Sequence, residues 1–266
     1  MLRIAVTGAV GRMGRTLIES IHAAEDLTLG AAIERADCPL LGADAGEVIG
    51  VGRLNVPVVA DIQAVIDHFD VLVDFSIPAA TLEKVDICTR AGKGMVIGTT
   101  GFDAAGLERI RMAATRIPIL MSPNMSVGVN LVFRLIEIAA EALGDSADIE
   151  VIEAHHRNKI DAPSGTAVRM GEILAKATGR DLGSVAVYGR QGVSGVRDRK
   201  TIGFETIRAG DIVGDHTVMF AAAGERIEIT HRAHTRSNFA EGALRAARFL
   251  STARPGMHAM KDVLGL

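Results

Sequence analysis

Two adjacent histidines followed by two cations are the residues of this sequence best suited to acid–base chemistry. His155 and His156 follow an alternating segment that predicts a β-strand, and Arg157 and Lys159 come shortly after them. Neighbouring side chains on a strand point to opposite faces, so the two imidazoles would have different roles if the strand extends through them. Because histidine titrates near neutral pH, either ring could donate a proton to a reacting group.

A helix is predicted to begin a few residues after the histidines. Ser164 is a suitable N-cap, and Gly165 and Thr166 open a segment with apolar residues at helical spacing. The first N–H groups of a helix lack partners within it and lie at the positive end of its dipole. This segment could therefore bind a small carboxylate or phosphate. A His-His pair and a capped helix are also compatible with a structural role, so residue chemistry alone leaves both interpretations open.

The beginning of the chain has the pattern of a dinucleotide-binding unit. A strand at 2–7 is followed by a glycine-rich turn, a helix, and a second strand at 27–33 that ends in Glu34. Glycines in such a turn let the backbone approach a pyrophosphate at the helix N-terminus, and the carboxylate can bind ribose hydroxyls. The spacing is G-x-x-G-x-x-G, with Val10 where the commoner fingerprint has its second glycine. The turn residues assigned to a cofactor are Gly8, Ala9, Val10, Gly11, Arg12 and Met13.

Glu34 and Arg35 together bear on the choice between NADH and NADPH. A carboxylate repels the 2′-phosphate of NADPH, whereas an adjacent guanidinium can bind that phosphate. The pair therefore predicts a protein that accepts NADH or NADPH, with KM values within about tenfold of each other. The alternative is that Arg35 lies in a solvated loop without contacting a ligand.

Strands alternate with helices through the first half of the chain, which predicts a doubly wound parallel sheet of the α/β class. Apolar runs at 71–76, 94–98 and 117–121 are typical of buried parallel strands, while residues 42–55 are expected to form a loop. Ligands of such sheets bind beyond the carboxyl ends of the strands, where the nicotinamide is expected. The residues at these ends are Gly98, Thr99, Thr100, Ser122, Pro123, Asn124 and Met125.

After a long apolar helix at 126–143, and beyond the histidine segment, the chain changes to short alternating segments. These predict a second, α+β domain built on a mostly antiparallel sheet, with hairpin-like turns at 209–211 and 223–225. One face of such a sheet would be buried and the other available to a partner subunit. The loop at 189–200 is glycine-rich and basic; a mobile, solvated loop is its simplest interpretation, and an anion-attracting lid is the alternative.

Composition excludes several classes of function. Apolar residues make up 48% of the 266 residues, which is enough for a packed core. A net charge of −3 and the absence of Trp argue against general binding to nucleic acid or to anionic membranes. The sequence shows no secretory signal and no run of roughly 18 apolar residues. Cys38 and Cys88 lack metal-ligand spacing, so free thiols in a cytoplasmic protein are expected. The spacing of His155, His156, His231 and His234 matches no dense ligand motif, so no metal is expected.

Several motifs, taken together, resemble the dihydrodipicolinate reductase family. The longest is Glu153-Ala-His-His-Arg-Asn-Lys159-Ile-Asp-Ala-Pro-Ser-Gly165-Thr166, and G-A-x-G-R-M-G at 8–14 is the family's form of the glycine turn. The Glu34-Arg35 pair, Gly-Thr-Thr-Gly-Phe at 98–102 and Gly-Phe-x-Thr-x-Arg-x-Gly-Asp-Ile-Val-Gly at 203–214 occur in the family's order. The resemblance therefore covers essentially the whole chain.

The resemblance implies a specific reaction and specific residue roles. The reaction is the reduction of 4-hydroxy-tetrahydrodipicolinate to tetrahydrodipicolinate with NADH or NADPH, in the diaminopimelate route to lysine. In the implied roles, His155 is the acid and Lys159 assists it as a donor and carboxylate partner. His156, Gly165 and Thr166 would hold the carboxylates of this small dicarboxylate ring.

The resemblance also implies how the chain is organised. It predicts homotetramers assembled through the second sheet, and a dinucleotide-binding domain of residues 1–126 and 236–266. Residues 127–235 would form a substrate-binding and oligomerisation domain. Two other functions stay open, namely another two-domain NAD(P)-dependent reductase and a catalytically silent NAD(P) sensor. The absence of the Glu-Lys-Pro motif of sugar oxidoreductases counts against the first, and the retained His155 and Lys159 count against the second.

Overall fold

The computed structural model describes every residue from Met1 to Leu266. Contacts between residues divide the chain into two compact units. The first unit consists of Met1–Val127 and Arg236–Leu266, and the second consists of Gly128–Thr235. None of the helices is both long enough and apolar enough to cross a membrane.

Twelve strands and nine α-helices, with two short 3-10 helices, follow one another along the chain. The strands are β1 (Leu2–Thr7), β2 (Leu27–Ile33), β3 (Val58–Val59), β4 (Val71–Asp74), β5 (Gly94–Ile97), β6 (Pro118–Met121), β7 (Asp148–His155), β8 (Ala186–Tyr188), β9 (Ile202–Arg208), β10 (Gly214–Ala222), β11 (Glu225–Ala233) and β12 (Gly256–His258). The α-helices are α1 (Arg12–Ala23), α2 (Ala45–Ile49), α3 (Pro78–Ala91), α4 (Ala104–Ala114), α5 (Val127–Leu143), α6 (Gly165–Ala177), α7 (Leu182–Val185), α8 (Ser237–Leu250) and α9 (Met260–Leu264).

The first unit is built on a seven-stranded sheet in the order β12-β6-β5-β4-β1-β2-β3, and every neighbouring pair is parallel. Apolar clusters cover both faces, because side chains alternate along each strand. In β1, Ile4 and Val6 pack with residues of α1 and α8, while Ala5 packs with residues of α3 and α4. The chain changes direction across the sheet between β1 and β4, which creates a crevice beyond their carboxyl ends. The doubly wound α/β sheet predicted from the sequence is confirmed.

The second unit is built on a five-stranded mixed sheet in the order β11-β10-β7-β9-β8. Strands β11, β10 and β7 pair antiparallel, as the sequence predicted, whereas β9 runs parallel to both β7 and β8. The parallel pairing of β7 with β9 follows from the long crossover through α6 that joins them. Helices α5 and α6 cover one face of this sheet, where Ile136, Val151 and Leu174 share a buried core.

Three local features differ from the sequence-based expectations. Residues 209–211 do not form a hairpin turn, because β9 and β10 are both neighbours of β7 and not of each other. The segment 42–55 contains helix α2, because the Asp44 carboxylate accepts the N–H groups of Gly46 and Glu47 and so caps the helix. The seventh strand of the first sheet, β12, has only three residues, which is too short to give a recognisable pattern.

Candidate active site

The glycine turn after β1 is folded tightly enough for a ligand to approach its backbone. Gly8 has a φ of 61°, which favours glycine, and the N–H of Gly11 donates to the Gly8 carbonyl at 2.9 Å. A Cβ atom at Gly14 would overlap that same carbonyl oxygen, so the third glycine lets α1 pack directly against the turn. These features fit the backbone cradle that a pyrophosphate needs at a helix N-terminus.

Glu34 follows β2, and its carboxylate is hydrogen-bonded to the backbone of the glycine turn. Its Oε1 accepts the N–H of Val10 at 2.9 Å, and its Oε2 accepts the N–H of Arg35 at 3.2 Å. The Arg35 guanidinium is exposed and forms an ion pair with Asp37, with 3.0 Å between Nε and Oδ1. A carboxylate in this place fits a ribose, and an exposed guanidinium beside it fits an added phosphate. The residues of the first unit therefore fit a dinucleotide cofactor.

The remaining predicted cofactor residues lie at the carboxyl ends of β5 and β6. Gly98 follows β5 and donates its N–H to the carbonyl of Asp74 at 2.8 Å. The hydroxyl of Ser122 donates to the carbonyl of Asn124 at 2.8 Å, and the Asn124 Oδ1 accepts the N–H of Ser126 at 2.9 Å. Thr99 and Met125 are buried, whereas Thr100 and Pro123 are exposed. Local hydrogen bonds thus fix the conformation of the loop after β6.

A fully buried carboxylate, Asp74, links the loops at three strand ends. Its Oδ1 accepts the hydroxyl of Thr7 at 2.8 Å and the N–H of Ser76 at 2.8 Å, and the Thr99 hydroxyl lies 3.5 Å away. The Thr99 hydroxyl in turn accepts the N–H of Ser76 at 3.0 Å. Oδ2 of Asp74 is buried without a hydrogen bond. Asp74 is a functional candidate that was not predicted from the sequence, although it is a polar residue at the end of an apolar strand.

In the second unit, His155 is held by a carboxylate two residues earlier on the same strand. Oε2 of Glu153 lies 2.6 Å from Nδ1 of His155, and both residues are buried. The two side chains meet because residues i and i+2 of a strand share a face. That face also carries Val151, which packs in the core under α5 and α6. Strand β7 ends at His155, and His156 is half-buried with a buried Nδ1 that makes no hydrogen bond.

The Glu153 carboxylate has four other hydrogen bonds besides that to His155. Arg208 of β9 donates to both oxygens, at 2.9 and 2.8 Å, while the N–H of Ser164 donates at 3.0 Å and the hydroxyl of Thr206 at 3.3 Å. Burial would raise the pKa of Glu153, but the hydrogen bonds from Arg208, His155 and Ser164 outweigh it and lower that pKa. Glu153 therefore stays a carboxylate at neutral pH.

The second ring nitrogen of His155 faces a position without a side chain. A Cβ atom on Gly214 of β10 would lie 3.1 Å from Nε2 of His155, so any larger residue at this position would crowd that nitrogen. Burial lowers the pKa of His155, and the hydrogen bond and charge of Glu153 oppose that effect, while Lys159 and Arg208 add to it. An imidazole with one nitrogen fixed and the other open is suited to proton transfer.

The predicted anion-binding residues belong to the start of α6 and to the loop that precedes it. Ser164 caps the helix, with its Oγ accepting the N–H of Ala167 at 3.2 Å, and Gly165 and Thr166 form the first turn. Nζ of Lys159 lies 2.8 Å from both oxygens of Asp161, with the lysine side chain largely covered. The helix dipole and this ammonium group supply the positive potential that a carboxylate requires.

The basic loop at 189–200 is attached to the outer face of the second sheet. Arg190 and Arg197 form ion pairs with Glu150 of β7, at 2.8 and 2.9 Å. The Arg197 guanidinium also donates to Asp148 and to the carbonyls of Ile149 and Thr201, at 2.9 to 3.0 Å. The side chains of these two arginines are therefore bound by acidic residues of β7 and are not fully solvated as expected.

Comparison with known proteins defines the class and then the family. Solved structures that share this fold include a dihydrodipicolinate reductase from Paenisporosarcina sp. TG-14 bound to dipicolinate, which is 22% identical with a TM-score of 0.78, covering 97% of each chain. A myo-inositol dehydrogenase from Corynebacterium glutamicum is 14% identical with a TM-score of 0.58, covering 96% of this chain and 90% of its own. A WlbA dehydrogenase from Thermus thermophilus, in complex with NAD and UDP-GlcNAcA, is 13% identical with a TM-score of 0.54, covering 97% of each chain.

A doubly wound sheet with a glycine turn, followed by a unit with a buried imidazole–carboxylate pair, is typical of two-domain dinucleotide-dependent oxidoreductases. Two protein-family models match the chain: 'Dihydrodipicolinate reductase, N-terminus' matches residues 2–125, and 'Dihydrodipicolinate reductase, C-terminus' matches residues 128–264. The chain belongs to the dihydrodipicolinate reductase family. The resemblance stated from the sequence is thus confirmed, and the activity is the NAD(P)H-dependent reduction of 4-hydroxy-tetrahydrodipicolinate in diaminopimelate and lysine biosynthesis.

Proposed function

We propose that His155 is the general acid of this reduction and donates its proton from Nε2. The reaction takes up one hydride and one proton and releases one water, so a proton donor is required beside the substrate ring. When bound, the reduced nicotinamide supplies the hydride. Nδ1 of His155 is bonded to Glu153 at 2.6 Å, which leaves Nε2 as the nitrogen that can reach a substrate.

One observation carries the proposal: a single carboxylate joins the acid to the start of α6. Glu153 bonds His155 through Oε2, and its Oε1 accepts the backbone N–H of Ser164, the residue that caps the helix. The proton donor and a helix N-terminus suited to carboxylates are therefore fixed relative to each other.

The substrate carboxylates are assigned to the residues around this helix start. Gly165 and Thr166 would bind one carboxylate through the N-terminus of α6, and His156 and Lys159 would bind the ring's polar groups. The dipicolinate in the related Paenisporosarcina structure is a small dicarboxylate ring, which supports a ligand of this class here. Lys159 would exchange its contact with Asp161 for a contact with the substrate.

The cofactor is assigned to the turn and strand ends of the first unit. The backbone of the turn would hold the pyrophosphate, and Glu34 would hold the ribose next to it, with Arg35 available for a 2′-phosphate. The strand-end loops at 98–100 and 122–125 would line the nicotinamide. Met1–Val127 with Arg236–Leu266 would then be the dinucleotide-binding domain. Gly128–Thr235 would be the substrate-binding and oligomerisation domain.

We also propose a homotetramer assembled through the second sheet. Val187 and Ile207 lie on the face of this sheet that α5 and α6 do not cover, and they are 37% and 48% exposed. A partner sheet would remove these apolar side chains from water. Sedimentation of the purified protein tests this assignment. The free thiols of Cys38 and Cys88 agree with a cytoplasmic location.

The test of the proposed function is a coupled assay. The substrate is generated in situ by the synthase that precedes this step, and NADH oxidation is followed by its ultraviolet absorbance. Turnover by the wild-type protein with loss in His155→Ala supports the assignment. A protein that binds NADH but does not oxidise it under these conditions would be a silent sensor.

A further inference from the structure

Glu153 is a buried carboxylate whose position in the second unit is fixed from three sides. It contacts His155 on its own strand, Arg208 on β9, and the backbone of Ser164 before α6. We infer that Glu153 is the positioning residue of the proton donor: it holds Nδ1–H of His155, so that Nε2 is the donating nitrogen, and it stabilises the imidazolium form. This inference rests on the proposed role of His155 as the acid.

The geometry assigns the tautomer of His155. Oε2 of Glu153 lies 2.6 Å from Nδ1, and the two Arg208 nitrogens already donate to both carboxylate oxygens. A carboxylate surrounded by donors cannot itself donate, so the shared proton belongs to Nδ1. The neutral ring therefore accepts a proton at Nε2, the nitrogen that faces Gly214. Proton uptake and proton release then occur at the same nitrogen.

The charges that face His155 come from four elements. Glu153 of β7 favours the imidazolium, whereas Arg208 of β9 and Lys159 of the following loop disfavour it. His216 of β10 lies edge-on at 5.1 Å between ring centroids, and burial lowers its pKa to about 3, so it stays neutral at assay pH. Helix α6 starts with uncharged residues. Among these groups, Glu153 is thus the only charge that favours the protonated form of His155. It opposes the effect of burial, which still leaves the pKa of His155 lowered.

A merely structural role for Glu153 is the competing explanation, because its contact with Ser164 also shapes the helix start. The two roles predict different pH behaviour. Loss of a structural contact lowers kcat or raises KM at every pH. Loss of the carboxylate charge lowers the pKa of His155 further, so activity falls at a lower pH on the alkaline side.

The test compares the pH profile of kcat for wild type, Glu153→Gln and Glu153→Asp in the full-length protein. Glu153→Gln should move the alkaline limb of kcat to lower pH by about one unit or more, and Glu153→Asp, which keeps the charge, should leave it near the wild-type position. A Glu153→Gln profile that is lower in kcat but unmoved would overturn the inference. If His155→Ala retains wild-type kcat, the proposed function itself fails, which separates the two outcomes.

A measurement on the wild-type protein makes the inference testable even if Glu153→Gln does not fold. Nitrogen-15 NMR of histidine-labelled protein, assigned with His155→Gln, reports which ring nitrogen carries the proton above the pKa. The expected result is a protonated Nδ1 and an unprotonated Nε2 for His155. The opposite tautomer would overturn the inference.

Discussion

Oγ of Ser164 lies 2.9 Å from Nε2 of His216, which joins the cap of helix α6 to a buried imidazole of strand β10. The same hydroxyl accepts the N–H of Ala167, so a neutral His216 can accept the hydroxyl proton while the cap stays intact. Burial, reinforced by repulsion from His155, lowers the pKa of His216 to about 3. The proposed carboxylate site therefore begins at a residue held by a histidine that does not charge at neutral pH.

The first prediction concerns stability against pH. The folded pKa of His216 is about 3 and its ordinary value is 6.5, so the unfolded chain binds more protons between these values. The free energy of unfolding should therefore fall as the pH drops below about 6.5, by up to roughly 1.4 kcal/mol per pH unit from this group. Denaturant unfolding at several pH values measures the free energy of unfolding at each pH. This free energy should depend less steeply on pH in His216→Gln than in wild type. The same slope in His216→Gln and wild type would contradict this, and His22→Gln, at an exposed histidine, is the control.

The second prediction concerns cofactor choice. Arg35→Ala should raise the KM for NADPH by roughly tenfold or more and leave the KM for NADH unchanged within about twofold, because only NADPH carries the phosphate. Steady-state kinetics with both cofactors provide the measurement. Asp37→Asn is a matched control, since it releases the Arg35 guanidinium from its ion pair and should not weaken the binding of NADPH. An unchanged NADPH KM in Arg35→Ala would remove Arg35 from the cofactor site.

The third prediction concerns the buried carboxylate at the strand ends. Asp74→Ala removes the acceptor for Thr7 and Ser76, so it should lower the free energy of unfolding by about 2–4 kcal/mol. Because these loops are assigned to the cofactor, the Kd for NADH should rise by roughly tenfold, while binding of dipicolinate stays the same. Calorimetry measures both affinities. Asp74→Asn keeps an acceptor oxygen and should restore most of the NADH affinity; an equal loss of both affinities would point to general unfolding.

The fourth prediction concerns Lys159. Its side chain is largely covered and its ammonium group is hydrogen-bonded to Asp161, so the ammonium group could exchange this contact for one with a substrate carboxylate. Lys159→Ala should raise the substrate KM and lower kcat, each by roughly 10- to 100-fold. Arg157→Ala removes an exposed cation two residues away and should change neither value by more than about twofold. Equal effects of the two variants would mean that Lys159 contributes only general positive potential.

The parallel sheet could be predicted from the sequence because its central strands are continuous apolar runs that alternate with helical patterns. Strand β12 could not be predicted, because it is defined by its pairing with β6, which lies far from it in the sequence. Helix α2 was missed for a related reason. Its stability comes from Asp44, whose carboxylate also accepts N–H groups from Leu54 and Val56, ten and more residues later.

In the candidate site, too, contacts within one strand could be predicted from the sequence, whereas contacts between distant segments could not. The pairing of Glu153 with His155 follows from the two-residue period of the strand and could have been predicted from the sequence. Arg208 is 55 positions from Glu153, and only the register of β7 against β9, which pairs His155 with Arg208, brings the guanidinium to it. His216 is also placed by register, opposite Glu153 on β10. The roles assigned to the site residues stay predictions.

The most direct test of the central claim, that His155 is the proton donor, is the turnover number of His155→Ala at saturating substrate and NADH. We expect a fall in kcat of about 10²- to 10⁴-fold with the Kd for NADH unchanged within about threefold, because general acid catalysis is lost while the first unit is intact. His156→Ala, beside it, should act mainly on the substrate KM. A loss of kcat below about threefold in His155→Ala would contradict the account.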